Sequence, residues 1–388
     1  MTKIEWAQQT WNPIAGCSIV SPGCTNCYAM RMAARLEQMA HADNQRREIR
    51  GEVPASPLGH YIGITHNDMP VWNGRVALAP DSTVLEPLTR KGPTLWFVNS
   101  MSDLFHEKVP NHWIDRVFAI MALSPRHTFQ VLTKRSARMR DYISSASTCI
   151  RVLDKMFEVA DLIAMRAHLA GRKRAWEARP RQVPFMHDPD AHWPLANVWL
   201  GVSAERQQEA EQRIPNLLAT PAAIRFISAE PLLGRIDLTH LKHPAHPQGF
   251  VDALRFNERR LDWVIAGGES GPGARPMHPD WAREIRDQCV SYGVPFFFKQ
   301  HGNWTTVVDR DRDDPDWRLD YRHKYPDGKR RHRWLNLDGG IGFHGARFHV
   351  MKNVGRSIAG RRLDGKVWDE MPSTTNQQQE VSHAHSAA

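Results

Sequence analysis

The 388-residue chain holds no apolar run approaching the ~18 residues of a membrane span. Its opening, MTKIEWAQQTWNP, has no apolar core of a secretory signal. These absences predict a cytoplasmic protein with no membrane partner. Cysteine is scarce: five residues in all, an odd number, which argues against a disulfide framework in a chain of this size. No phosphate-binding loop occurs, and GGESGPG (267–273) lacks the glycine spacing of a dinucleotide fingerprint. Ser102 and Ser228 have no His/Asp company of the nucleophile type, which excludes serine hydrolysis. There is no internal repeat.

What is present describes a folded protein. Hydrophobic residues make up 41% and charged residues 24%, the ordinary globular balance. The formal charge of +9 permits a polyanionic partner without requiring one.

Strand-like and helix-like stretches alternate. LWFVNS (95–100), TFQVLTKR (128–135), NVWLGVSAE (197–205), AIRFISAEPLL (223–233), DWVIAGGESG (262–271) and PFFFKQHG (295–302) read as strands with polar ends. GRVALAP (74–80) is an earlier strand candidate. NHWIDRVFAIMAL (111–123), ERQQEAEQRIPNLLA (205–219) and DWAREIRDQCVSYG (280–293) read as helices. The alternation predicts an α/β fold with a mostly parallel sheet, a TIM-like (β/α) barrel in whole or in part. Residues 1–302 form its core, with a helical insertion at 145–192. Residues 303–372 read as an irregular basic extension packed on the core. The last stretch, 373–388, has almost no apolar content and is expected to be disordered.

In such folds chemistry collects at the carboxyl ends of the strands. Here those ends carry Asn99, Ser102 and Asp103; Lys134 and Arg135; Ser203 and Glu205; Ser228 and Glu230; Gly267, Gly268 and Glu269; and Lys299 and Gln300. Lys134, Arg135 and Lys299 suit phosphate binding, or salt bridges with Glu205, Glu230 or Glu269. Asp103 and His106 suit an acid/base pair, or Asp103 a cap.

Cys17, Cys24 and Cys27 lie in WNPIAGCSIVSPGCTNCYAM, spaced Cys-x6-Cys-x2-Cys on a Gly/Pro loop before a helix-like run. Three thiolates on one loop point to a metal site. They can hold three irons of a four-iron cluster and leave the fourth for a small molecule. Zinc needs a fourth ligand, for which His41 and His60 are candidates. Cys149 and Cys289 read as structural. The basic stretches GKRRHRW (328–334) and GRRLDG (360–365) mix Arg with Trp and His, which suits a phosphate backbone and a stacked base, or a solvated face.

The segment Cys24-Thr-Asn-Cys27-Tyr28-Ala29 resembles the cluster loop of radical S-adenosylmethionine enzymes, whose usual spacing is Cys-x3-Cys-x2-Cys. More broadly, TWNPIAGCSIVSPGCTNCYA, FVNSMSDLFHEKVP, FQVLTKRSARM, NVWLGVSAE, RFISAEPLL, DWVIAGGESGPGARPM, PFFFKQHG and VGRSIAGRRLDGKVWDEMP resemble the bacteriophage and prophage gp-thirty-seven/gp-sixty-eight family. That resemblance implies a radical-S-adenosylmethionine-like protein with a 4Fe-4S cluster, sometimes encoded beside a three-Cys-motif partner protein. In that reading Cys17, Cys24 and Cys27 are the metal ligands. Asn99, Ser102, Ser203, Gly267, Gly268 and Glu269 hold the cofactor, with Glu269 facing either the methionine ammonium or the substrate. Asp103, Glu205, Glu230 and Lys134 are the catalytic candidates, and Arg135, Lys299 and Gln300 the substrate contacts. An electron donor is a further partner, and a nucleotide, nucleobase or nucleic acid the expected substrate. The alternatives are a zinc-stabilised, non-catalytic nucleic-acid-binding protein and an electron-transfer protein.

Overall fold

The computed structural model describes residues 4–52, 62–64, 69–169, 184–255, 259–311, 320–328, 331–340 and 347–373. The chain divides into two compact units, one of Met1–Ser203 with Gln212–Ala223, the other of Ala204–Glu211 with Ile224–Ala388.

In the first unit four strands run parallel in the order β1 (Gln9–Trp11), β2 (Leu95–Val98), β3 (Thr128–Thr133) and β4 (Val198–Ser203). Every residue of β4 is buried, as in a parallel strand covered on both faces. The helices of this unit include α1 (Tyr28–Ile49), α2 (Asn111–Ala122), α3 (Ser136–Ile143) and α4 (Thr148–Leu169). Helix α2 buries Ile114, Val117, Phe118 and Met121, one face of a 3.6-residue period, and packs on α4. Trp11, Trp96 and Phe129, on the neighbouring strands β1, β2 and β3, are fully buried.

The second unit repeats the pattern with β5 (Ile224–Ala229), β6 (Trp263–Gly267) and β7 (Phe296–Gln300), parallel in that order. Helix α5 (Pro279–Tyr292) joins β6 to β7. The His278 side chain caps its start, and Gly293 at φ 62° ends it in the left-handed conformation that glycine adopts without steric cost. The parallel α/β succession expected from the sequence is therefore present. Beginning at Gln9, β1 adds a first short strand that its three residues were too few to announce.

The described residues of 303–372 are not irregular. They contain an antiparallel sheet of β8 (Trp304–Asp311), β9 (His332–Asn336) and β10 (Arg347–Asn353), with β10 in the middle. Val308, Tyr321, Trp334, Phe348 and Val350 form its core. Its density of Arg, Asp and His hides the alternation that marks a strand. Trp334, offered by sequence as a stacking ring for a base, is 3% exposed in that core and donates its indole N–H to the Tyr325 carbonyl. The strand candidate at 74–80 is reduced to Ala77–Leu78, and Asp81–Thr89 holds two short helices. The insertion at 145–192 holds α4 and a turn of helix at Pro184–His187; residues 170–183 of it, and 374–388 of the expected disordered tail, lie outside the described residues. Among the described residues no helix is long and apolar enough to cross a membrane.

Candidate active site

The cysteine loop is built onto the carboxyl ends of β1, β2 and β3. Past β1 the chain forms a two-residue strand, Ile14–Ala15, and Gly16 bridges to Ser102. The turn after β2 is tied to the same place. Asn99 N–H donates to the Trp11 carbonyl, and Ser102 Oγ donates to the Ile14 carbonyl at 2.8 Å. Asn99 sits at φ 60°, a left-handed conformation that asparagine tolerates better than most side chains. A turn of 3-10 helix, Pro22–Cys24, follows, and Cys27 immediately precedes α1.

The three thiols share a neighbourhood. Cys17 and Cys27 pack against Ala29, Met30 and Trp72. Burial pushes the Cys27 thiol up; backbone N–H groups of Met30 and Ala29 at the start of α1 oppose this, and Cys24 adds to it. Burial, reinforced by the Asp103 carboxylate, pushes Cys17 up to about 12. The guanidinium of Arg135 opposes it, with Nη1 3.6 Å from Cys17 Sγ.

Arg135 stands at the end of β3 and is itself buried. Nη1 also donates to Asp103 Oδ2 at 3.1 Å, Nη2 to Ser18 Oγ at 2.8 Å and Nε to Glu107 at 3.3 Å. Burial alone would lower its pKa; Asp103, Cys17 and Glu107 raise it instead. Asp103 accepts from four donors: Phe105 N–H and Thr133 Oγ1 on one oxygen, Lys134 N–H and Arg135 on the other. A carboxylate so occupied is a clamp. His106 does not meet Asp103 through its ring. It reaches Ser18 Oγ at 2.9 Å and accepts the Lys108 N–H. The Lys134 charge acts on Cys27. Ser203, at the end of β4, receives Arg213 on its carbonyl.

The remaining candidates lie in the second unit. Glu205 is fully buried. Glu230, after β5, takes both carboxylate contacts from Lys299 Nζ on β7, at 2.7 and 2.9 Å. Glu269 is gripped by Arg275 through its backbone N–H, Nε and Nη2, the last at 2.6 Å. Gly268 is required by close backbone packing. A Cβ on Gly268 would come within 2.2 Å of the His301 carbonyl oxygen, and one on Gly302 within 2.2 Å of the Glu269 carbonyl oxygen. The turns after β6 and β7 thus interlock backbone to backbone. Gln300 is buried, and among the described residues its Oε1 has no hydrogen-bond partner.

A second polar cluster was not foreseen. Ligand atoms of His278, Asp280 and His349 lie within 4.8 Å of one another. Arg283 and Arg347 both pair with Asp280, and Arg347 also pairs with Asp309 at 2.7 Å. Two guanidiniums already supply the positive charge a metal would bring, so the cluster reads as a structural network. Burial would raise the Asp280 carboxyl, but the His349 ring 3.6 Å away and hydrogen bonds from Arg347 and Arg283 hold it well below the usual range. The cue in the sequence was His278-Pro-Asp280 before an amphipathic helix, a capping signature.

No curated protein and no solved structure matches the chain. A family model described as "Protein of unknown function (DUF5131)" matches residues 1–372, and the chain belongs to that family.

Proposed function

We propose that this is an iron–sulfur, radical S-adenosylmethionine-like enzyme of the cytoplasm. It is similar to the phage and prophage gp-thirty-seven/gp-sixty-eight proteins and acts on a nucleotide, nucleobase or nucleic acid. The parallel β/α succession supports the TIM-like, whole or partial barrel of that reading. The observation that carries it is the docking of the three-cysteine loop on the carboxyl ends of β1, β2 and β3, with Arg135 against Cys17. Cys17, Cys24 and Cys27 would hold the cluster. Burial favours the protonated Cys17 and Cys27 thiols, and the charges of Arg135 and Lys134 oppose that shift toward the thiolates a metal takes. Cys17 and Cys27 pack against the same Ala29, Met30 and Trp72 cluster, which supports their acting on one group. With S-adenosylmethionine bound, the cluster would supply one-electron reductive cleavage and hydrogen-atom abstraction. An electron donor is then required, and a three-Cys-motif protein is the expected partner.

The chain's own residues position and neutralise. Asp103 orients Arg135, and Arg135 fixes the start of the cysteine loop through Cys17 and Ser18. Glu230 and Lys299 cancel each other's charge, and a substrate phosphate or amine would compete for one of them.

Iron and sulfide analysis of anaerobically purified protein tests this, beside Cys24→Ala. About four irons and four sulfides per chain, bleached by dithionite and lost in the variant, are expected. 5′-Deoxyadenosine release from S-adenosylmethionine follows as the next assay. Stoichiometric zinc, with no iron taken up after anaerobic reconstitution, would replace this reading with the zinc-stabilised nucleic-acid binder.

A further inference from the structure

We infer that Arg135 is a positioning residue that sets the reduction potential of the group held by Cys17. The inference rests on the reading just proposed and adds a role for a residue that sequence assigned to substrate.

Three features carry it. First, the guanidinium is committed. Its Nε and both terminal nitrogens are directed at Glu107, Asp103, Cys17 and Ser18, and the residue is 8% exposed, so little of it remains for a substrate phosphate. Second, it is locked. Asp103 is held by Thr133, Lys134 N–H and Phe105 N–H, so the arginine's main anchor cannot swing away. Third, Nη1 is aimed at a sulfur. An N–H donated to a ligating thiolate, with a full positive charge behind it and little water to screen it, stabilises the state with one more electron. The physical consequence is a cluster easier to reduce than the same three thiolates would give alone. The compensation has a limit, since the same Nη1 also donates to Asp103, which returns part of the negative charge.

The experiment is a dithionite titration, monitored by electron paramagnetic resonance, of full-length protein reconstituted anaerobically with iron and sulfide. Wild type, Arg135→Lys and Arg135→Gln are compared at equal iron content. Each cluster accepts one electron from dithionite. Arg135→Gln is expected to make reduction about tenfold harder, a shift of about 59 mV to more negative potential for one electron. Arg135→Lys, which keeps the charge and loses the fork, is expected to fall between the two. Should Arg135→Gln not fold, Arg135→Lys against wild type decides. A cluster-loaded variant whose potential equals that of wild type would overturn the inference and leave the proposed function standing. A wild-type protein that takes up no iron would overturn the proposed function, and the inference with it.

Discussion

Asp103 and Arg135 lie 3.1 Å apart, each with only 6% of its side chain exposed. They come from the turns after neighbouring parallel strands, so the ion pair fastens two strand ends as well as the cysteine loop. Removing one partner strands the other as a buried charge. Asp103→Ala is expected to lower unfolding free energy by about 3–5 kcal/mol, measured by urea denaturation. Asp103→Asn combined with Arg135→Gln is expected to cost less than the two single losses together. Additive losses would show that the pair is not coupled.

A buried histidine makes stability depend on pH. His278 is fully buried, and burial, aided by His349, lowers its pKa to about 3. Asp280 opposes that shift, whereas Arg347 and Arg283 add to it. The unfolded side chain titrates near 6.5. As pH falls, the unfolded chain takes up the proton first, so stability present above pH ~6.5 drains away toward pH ~3. Between pH 7 and pH 5 the loss from this residue is expected to be about 2 kcal/mol. His278→Asn keeps a side-chain acceptor for the cap of α5 and does not titrate. Its unfolding free energy is expected to change less over that interval, and an unchanged slope would assign the pH dependence elsewhere.

How far the sequence reached depends on the kind of contact. Helix α2 and the strands β3 to β7 were legible because burial imposes a period or an unbroken apolar run. The cysteine loop was legible because three thiols in eleven residues have few other uses. The roles of Asp103 and Arg135 were not. Asp103 lies 32 residues from Arg135 in the chain and Cys17 118, and the parallel pairing of β2 with β3 brings Asp103 and Arg135 together. The sheet at 303–372 escaped because its charged residues pair with one another, as Arg347 does with Asp309, and so sit in strands without reading as strands.

The glycine pair at the end of β6 offers a direct test of packing. Sequence places Gly267 and Gly268 among the cofactor contacts, and the space a Cβ would take at Gly268 holds the backbone of His301 and Gly302. Gly268→Ala cannot be absorbed by a side-chain rotation, because the atoms it meets are main chain. A loss of more than about 2 kcal/mol is expected, together with a loosened Glu269, whose carbonyl accepts the Asn303 N–H across the same junction. Gly92 has nothing within 4 Å of an added Cβ, and Gly92→Ala should stay within about 0.5 kcal/mol of wild type. Equal effects at the two positions would refute the interlocked turns.

The two remaining cysteines complete the argument about the thiol loop. Cys289 is fully buried in α5, and burial pushes its thiol well up, with Glu370 adding to the effect. Cys149 is buried in α4, with its sulfur 3.1 Å from Asp190. Neither sits beside a positive group that would favour the thiolate, the form that binds metal. Cys149→Ala and Cys289→Ala are therefore expected to keep the iron content of wild type, each with a stability loss of about 1 kcal/mol from the emptied space. Cys17→Ala and Cys27→Ala are expected to lose most of their iron while retaining the fold seen by circular dichroism. Iron lost on removing Cys289 would mean that the cluster is not confined to the loop at Cys17, Cys24 and Cys27. It would also sever the link between the metal and the strand ends on which the proposed chemistry depends.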